Sequence, residues 1–134
     1  VHLSGPYSIN NFIMFIVALI LGLFLVTALN LLMHILTMFT LDEKGTMITY
    51  SVIAEIFMGG TIPIPFFPTW LKHIAEFLPF RFIGDFPFRI YSNSIPLEEG
   101  YILIIGSIIW IIITISLGYL ISRVSLRKAV IQGG

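Results

Sequence analysis

From Phe12 to Phe39 the chain carries no charge and no proline. At ~1.5 Å per residue a helix over this run reaches about 42 Å, against a hydrocarbon core of ~30 Å. It is too short to cross a bilayer twice, so it crosses once and tilts or protrudes. Composition points the same way: 57% of the residues are hydrophobic and 10% charged, where a soluble domain is about a quarter charged. The sequence therefore predicts an all-α, polytopic membrane protein. Its 134 residues leave room for three transmembrane helices and one folded loop, within a single transmembrane domain.

Within the first run, Asn10 and Asn11 stand where N-caps would. Ala18 and Gly22 form a small-xxx-small pair that lets another helix approach closely. Thr27, Asn30, His34 and Thr37 follow at i, i+3, i+7 and i+10, one helical face. Polar groups at membrane depth turn toward protein or water. Leu41 to Gly45 is a charged turn outside the membrane. The second run, Thr46 to Ile62, is barely long enough to cross at ~17 residues. It carries Glu55 near its middle and loses helical preference at Gly59-Gly60, just before Pro63. The third run, Tyr101 to Ile121, has no ionisable side chain apart from tyrosines near its ends. The expected spans are about 12–39, 46–62 and 101–122.

The stretch between the last two runs, about 63–100, is no ordinary loop. With Met58 to Ile62 it holds Pro63, Pro65, Pro68, Pro79 and Pro87 among Phe66, Phe67, Trp70, Phe77, Phe80, Phe82, Phe86, Phe88 and Tyr91. A solvated loop would be polar, so this one is covered by lipid headgroups or by protein. Pro68 suits a helix start. Phe67, Trp70, Leu71, Ile74, Phe77 and Leu78 recur at helical spacing, with Lys72, His73, Ala75 and Glu76 opposite. Pro79 ends that helix. A second short segment spaces Arg81, Asp85 and Arg89 by four and is cut by Pro87. Together these read as an external amphipathic or re-entrant helical hairpin with an aromatic belt. It is either a simple interfacial cap on the bundle or part of a transport gate.

Orientation follows from Arg123, Arg127 and Lys128, which close on the last span and place the C-terminus in the cytoplasm. The Asp42–Lys44 turn then lies inside, with the hairpin and the N-terminus outside. Lys72, Arg81 and Arg89 on the outer side weaken that assignment. The first run is too long for a signal-peptide core and lacks a basic flank, so it is read as a retained span. Val1 in place of Met reads as a non-standard bacterial start or as the edge of a longer protein.

Several chemistries are excluded. Seven acids balance seven bases, so nothing recommends nucleic acid as a partner. There is no cysteine, hence no disulfide and no thiolate metal site. His2, His34 and His73 are too scattered for a metal centre. No Ser–His–carboxylate spacing and no phosphate-cradling G-x-x-x-x-G-K-[ST] occurs, so the chain is read as neither an enzyme nor an ATPase, without catalytic residues, metal or cofactor. Glu55 is the residue a functional reading singles out. The tight turn packs the first two spans antiparallel, so Glu55 can meet Asn30 directly, or His34 through a small tilt. That contact either lines a substrate route or is a hydrogen bond that locks two helices. An intramembrane enzyme using Glu55 and His34 is a rival reading.

Gly59-Gly60-x-x-Pro63, Phe67-Pro68-x-Trp70-Leu71, Leu78-Pro79-Phe80 and Pro87-x-x-Ile90, in that order between two spans and followed by a basic tail ending in Gly133-Gly134, resemble a known pattern. It is that of the type-2 membrane permease subunits of ATP-binding-cassette exporters, specifically their C-terminal half. The resemblance implies a bacterial inner-membrane permease that moves a substrate outward while a separate cytoplasmic ATPase subunit binds and hydrolyses ATP. It implies a second permease chain and membrane lipid as further partners. It also implies that Gly59, Gly60, Pro63, Phe67, Pro68, Trp70, Pro79, Phe80 and Pro87 shape an external gate. The family's first three spans and its coupling helix have no counterpart, so a truncated or split permease is expected. The alternative is a non-transporting membrane scaffold or an inactive fragment.

Overall fold

The computed structural model describes residues 9–92 and 95–133. His2, the Asn93-Ser94 part of the turn and Gly134 lie outside the described residues. Among the described residues all regular structure is helical. The order is α1 Ile9–Leu36, a 3-10 turn at Thr37–Phe39, α2 Glu43–Met58, a 3-10 turn at Ile64–Phe66, α3 Thr69–Phe77, a 3-10 turn at Pro79–Phe82, α4 Asp85–Tyr91 and α5 Leu97–Gly133.

Two stretches are long and apolar enough to cross a bilayer, Ile9–Phe39 and Leu97–Arg127, whose most apolar 18-residue windows have mean hydropathy 3.0 and 2.4. Only 28% and 17% of their most apolar windows are buried inside the protein. Helices of a soluble core would be mostly buried, so these present apolar surface outward. Asn10 and Asn11 lie inside α1 rather than capping it, and Asn11 is buried. At its other end α5 runs past Ile121 and carries Arg123 and Arg127 as helical residues.

α1 and α5 run parallel. The buried face of α1 is Asn11, Met14, Ala18, Gly22, Leu25 and Leu29, steps of three and four that keep one stripe on a neighbour. On α5 the buried positions Gly100, Ser107 and Thr114 repeat every seven residues. The Met14 sulfur lies close over Gly100, so the flexible Met14 side chain would have to move to admit a methyl there. Ser107 and Thr114 donate their hydroxyls to the carbonyls of Leu103 and Trp110, at 3.1 and 2.7 Å. This spends the polar group inside its own helix.

α2 returns antiparallel to the second half of α1. Asp42 caps it, its carboxylate accepting the Gly45 N–H at 2.9 Å, which satisfies one of the free amides of the first turn. The helix stops at Met58, short of the expected Ile62. Gly59 adopts φ 85°, its N–H reaches the Ile56 carbonyl at 3.2 Å, and the Gly60 N–H reaches the Glu55 carbonyl at 3.1 Å. That pair of bonds is a Schellman stop, which only a residue at ease with positive φ closes cheaply.

The stop falls level with Gly22, the midpoint of α1, and α4 completes the return. A methyl on Gly84 would lie 3.0 Å from the Met58 carbonyl oxygen, so α4 begins against the end of α2. From there α4 climbs beside the first half of α1 until Tyr91 packs on Phe15, ring centroids 5.1 Å apart. At 16 and 7 residues, α2 and α4 are about 24 and 10 Å long, together about four-fifths of the length of the 28-residue α1. Pro87 does not cut the second segment, as the sequence suggested. It sits in the first turn of α4, where its missing N–H has no helical partner to lose.

Between the two pieces the chain makes an excursion with a small core of its own, Ile64, Phe67 and Ala75, on which Phe57 and Leu71 pack. It comes back as a wedge. Phe82 enters between α1 and α5: a methyl on Gly22 would stand 3.2 Å from its carbonyl oxygen, and one on Gly106 would stand 3.0 Å from its ring. Phe82 also meets Phe86 edge-on at 6.2 Å and 89°. The close approach expected at Gly22 is therefore made by the backbone of Phe82 and Ile83, not by a spanning helix.

Candidate functional site

The break in the return path is where the polar side chains of α1 and α2 collect. On α1, the Asn30 amide oxygen accepts the Tyr50 hydroxyl at 3.1 Å. Beside that bond is a groove of about 280 Å3. Its polar lining is Asn30, Tyr50, Ser51, Glu55 and Gly60, and its apolar lining is Val26, Ala54 and Met58. Gly60 folds back on Glu55 so closely that a methyl there would stand 3.3 Å from both the Glu55 Cγ and its carbonyl oxygen. Asn30 and Glu55 thus line one groove, while the hydrogen bond of Asn30 goes to Tyr50. His34, one turn farther along α1, is exposed and lines neither this groove nor the next. Thr27 and Thr37 donate to the carbonyls of Leu23 and His34.

Tyr50 joins this groove to a wider, more open one of about 550 Å3, lined on its polar side by Asp42, Thr46 and Thr49. A polar track therefore runs along α2 from its capped start to its broken end. The Tyr50 ring also stacks at a tilt on Phe80, centroids 6.1 Å apart, which ties the track to the wedge.

The hairpin residues are distributed around this break. Gly59 and Gly60 make the stop itself. Pro63 precedes the 3-10 turn at Ile64–Phe66 and Pro68 precedes α3. Phe67 is buried in the small core. Pro79 is buried at the start of the returning 3-10 turn, and Phe80 is half-buried against Tyr50. Pro87 is buried in α4. Trp70 points outward at 66% exposure, as do Ile74 and Phe77, whereas Ala75 is fully buried. Trp70, Ile74 and Phe77 of the apolar stripe thus face away from the small core while Leu71 packs on it, and Phe77 meets Trp110 of α5 edge-on at 6.0 Å.

Of the three charges spaced by four, Asp85 and Arg89 form a pair, with the Arg89 Nε 3.1 and 3.0 Å from the two carboxylate oxygens. Their side chains are only 10% and 22% exposed. Arg81 stands apart, its guanidinium 5.2 Å from the Phe82 ring centroid and its Nε buried without a hydrogen-bond partner.

Sequence reasoning passed over Tyr50 and gave Phe82 no role beyond membership of the aromatic stretch. Tyr50 lies one helical turn before Ala54 on the α1-facing side of α2, a spacing that could have paired it with Asn30 once the antiparallel turn was assumed. Phe82 left a fainter signal. Gly106 interrupts an isoleucine-rich run, the mark of a place where something must come close.

No curated protein and no solved structure matches the chain. A family model described as ABC-2 family transporter protein matches residues 6–133. That is nearly the whole chain, and it agrees with two outward-facing apolar helices of membrane-crossing length. The chain belongs to the ABC-2 transporter family, as a permease-type membrane component of a kind that works with an ATP-binding-cassette ATPase.

Proposed function

We propose that this chain is the membrane permease of an ATP-binding-cassette exporter in a bacterial cytoplasmic membrane, with its C-terminus in the cytoplasm. It crosses the membrane three times: by α1, by α5, and by a broken crossing made of α2 and α4. ATP is bound and hydrolysed by a separate cytoplasmic subunit, and the chain itself carries no catalytic residue or cofactor. A route enclosed by so few helices needs a second permease chain, in the manner of the C-terminal half of a larger permease.

The observation that carries this reading is the interrupted return helix. Irregular backbone at membrane depth is stable only where protein or a water-filled cavity covers it, and here a polar groove opens at the stop. Because α2 and α4 meet through Gly59 and Gly84 and not through a continuous hydrogen-bond ladder, they can shift against each other at low cost. Closure of the ATPase subunits tilts α2, and the Phe82 wedge and Phe80 follow through Tyr50. The excursion from Pro63 to Pro79, anchored in the outer leaflet by Trp70 and Phe77, is the outer gate.

Co-expression with a cognate ATP-binding-cassette ATPase subunit tests the proposal. The two are expected to purify together, and inside-out vesicles carrying both are expected to show ATP-dependent uptake that the ATPase alone does not give. Reproducible failure to recover the complex from a well-inserted chain would favour a non-transporting scaffold.

A further inference from the structure

Glu55 is the only acid on α2 beyond its first turn, and it stands one turn from the helix C-terminus. That position is unfavourable for a carboxylate, because the carboxyl end of a helix carries negative potential, and a charge at membrane depth needs a partner. Asp85, by contrast, is matched by Arg89. No ion pair to Glu55 occurs among the described residues, and no lysine, arginine or histidine lines its groove.

The other polar groups on that groove add to the imbalance. The Asn30 amide oxygen has lone-pair capacity left after accepting from Tyr50. Ser51 spends its proton on the Met47 carbonyl at 2.9 Å and so presents only lone pairs. Tyr50 spends its proton on Asn30 and does the same. The carboxylate, the Asn30 amide and two spent hydroxyls therefore line one groove, alongside Val26, Ala54 and Met58; among these lining side chains the only donors left are the two uncharged amide N–H groups of Asn30. What such a lining lacks is a positive charge on an apolar body.

We propose that the α1–α2 groove at Glu55 binds a singly charged organic cation, an alkyl- or arylammonium. Taking that cation as cargo rests on the permease reading above; the binding itself does not. At about 280 Å3 the groove is at the small end of ligand pockets. It holds one substituted ammonium group, or the cationic end of a longer amphiphile that leaves through the open side. Glu55 supplies the countercharge, Asn30 and Tyr50 fix its position, and the three apolar side chains take the hydrocarbon.

The test uses the whole chain in nanodiscs of zwitterionic phosphatidylcholine, with phenyltrimethylammonium as the probe and its uncharged isostere, tert-butylbenzene, as the control. Saturable binding of one phenyltrimethylammonium per chain is expected. Glu55→Gln should weaken it about tenfold or more, the loss of one close opposite charge, and Glu55→Asp should retain most of it. In the unsubstituted chain, tert-butylbenzene should compete far less well than the cation. Equal competition by the neutral isostere, or unchanged affinity in a normally inserted Glu55→Gln chain, overturns the proposal. The first of these requires no variant to fold. Cation binding without ATP-dependent transport would defeat the permease reading and leave this site standing, and transport without cation binding would do the reverse.

Discussion

Removing the Phe82 ring tests the packing that joins the hairpin to the long helices. The side chain is 4% exposed and stands between Gly22 and Gly106, edge-on to Phe86. In lipid the usual gain from leaving water is small, because a vacated surface meets hydrocarbon instead. Two terms remain for Phe82→Ala. A ring-sized void of roughly 100 Å3 at about 24 cal/mol per Å3 costs about 2.4 kcal/mol, and the lost ring pair adds about 0.5–1.5 kcal/mol. The sum is about 3–4 kcal/mol, or two to three orders of magnitude in the unfolding constant. Reversible unfolding in mixed micelles reads it, with exposed Phe88→Ala as a control expected within about 0.5 kcal/mol of the unsubstituted chain. The sharper measurement adds Gly106→Ala. In the unsubstituted chain its methyl would stand 3.0 Å from the Phe82 ring, an overpacking that costs about 1–3 kcal/mol. Once the ring is gone the same methyl faces space, and the cost should vanish. A Gly106→Ala penalty of equal size in both backgrounds would show that the two positions do not touch, and the wedge would be refuted.

Other consequences are more local. Gly59→Ala forces a Cβ into the left-handed region and should cost about 1–2 kcal/mol, with Gly59→Asn costing clearly less, read by the same unfolding assay. Asp42→Ala removes the cap of α2 and should cost about 0.5–2 kcal/mol, seen first as faster amide exchange in the 43–46 turn. Asp85→Ala leaves Arg89 largely buried and unpaired and should cost about 3–5 kcal/mol, whereas replacing both partners by Leu and Met should recover most of that loss.

What could be read from the sequence was whatever a bilayer or the backbone dictates locally. Lipid tolerates only a charge-free run of crossing length, so α1 and α5 were visible at once. A left-handed stop favours glycine, so the weakening of α2 at Gly59-Gly60 was visible, although the span was drawn on to Ile62, and Pro68 and Pro79 framed α3. The parts that escaped depend on contacts between distant positions. Nothing local announces that α4 resumes where α2 stops, because that join rests on Gly84 meeting the Met58 carbonyl. The spacing of α3 gave its apolar stripe but not the side it faces, and the buried residue turned out to be Ala75. Of the polar face drawn through Asn30 and His34, Asn30 bonds Tyr50, which lay outside that pattern, while His34 is exposed and lines neither groove.

The most direct test of the broken-crossing account asks to which side the excursion opens. The chain has no cysteine, so a single His73→Cys on the exposed polar side of α3 can be probed with a membrane-impermeant maleimide, with Arg127→Cys reporting the opposite face. The account predicts labelling of position 73 from outside in intact cells and none from the cytoplasmic side of inverted vesicles, with the reverse at position 127. Labelling of position 73 from the cytoplasmic side alone would contradict it.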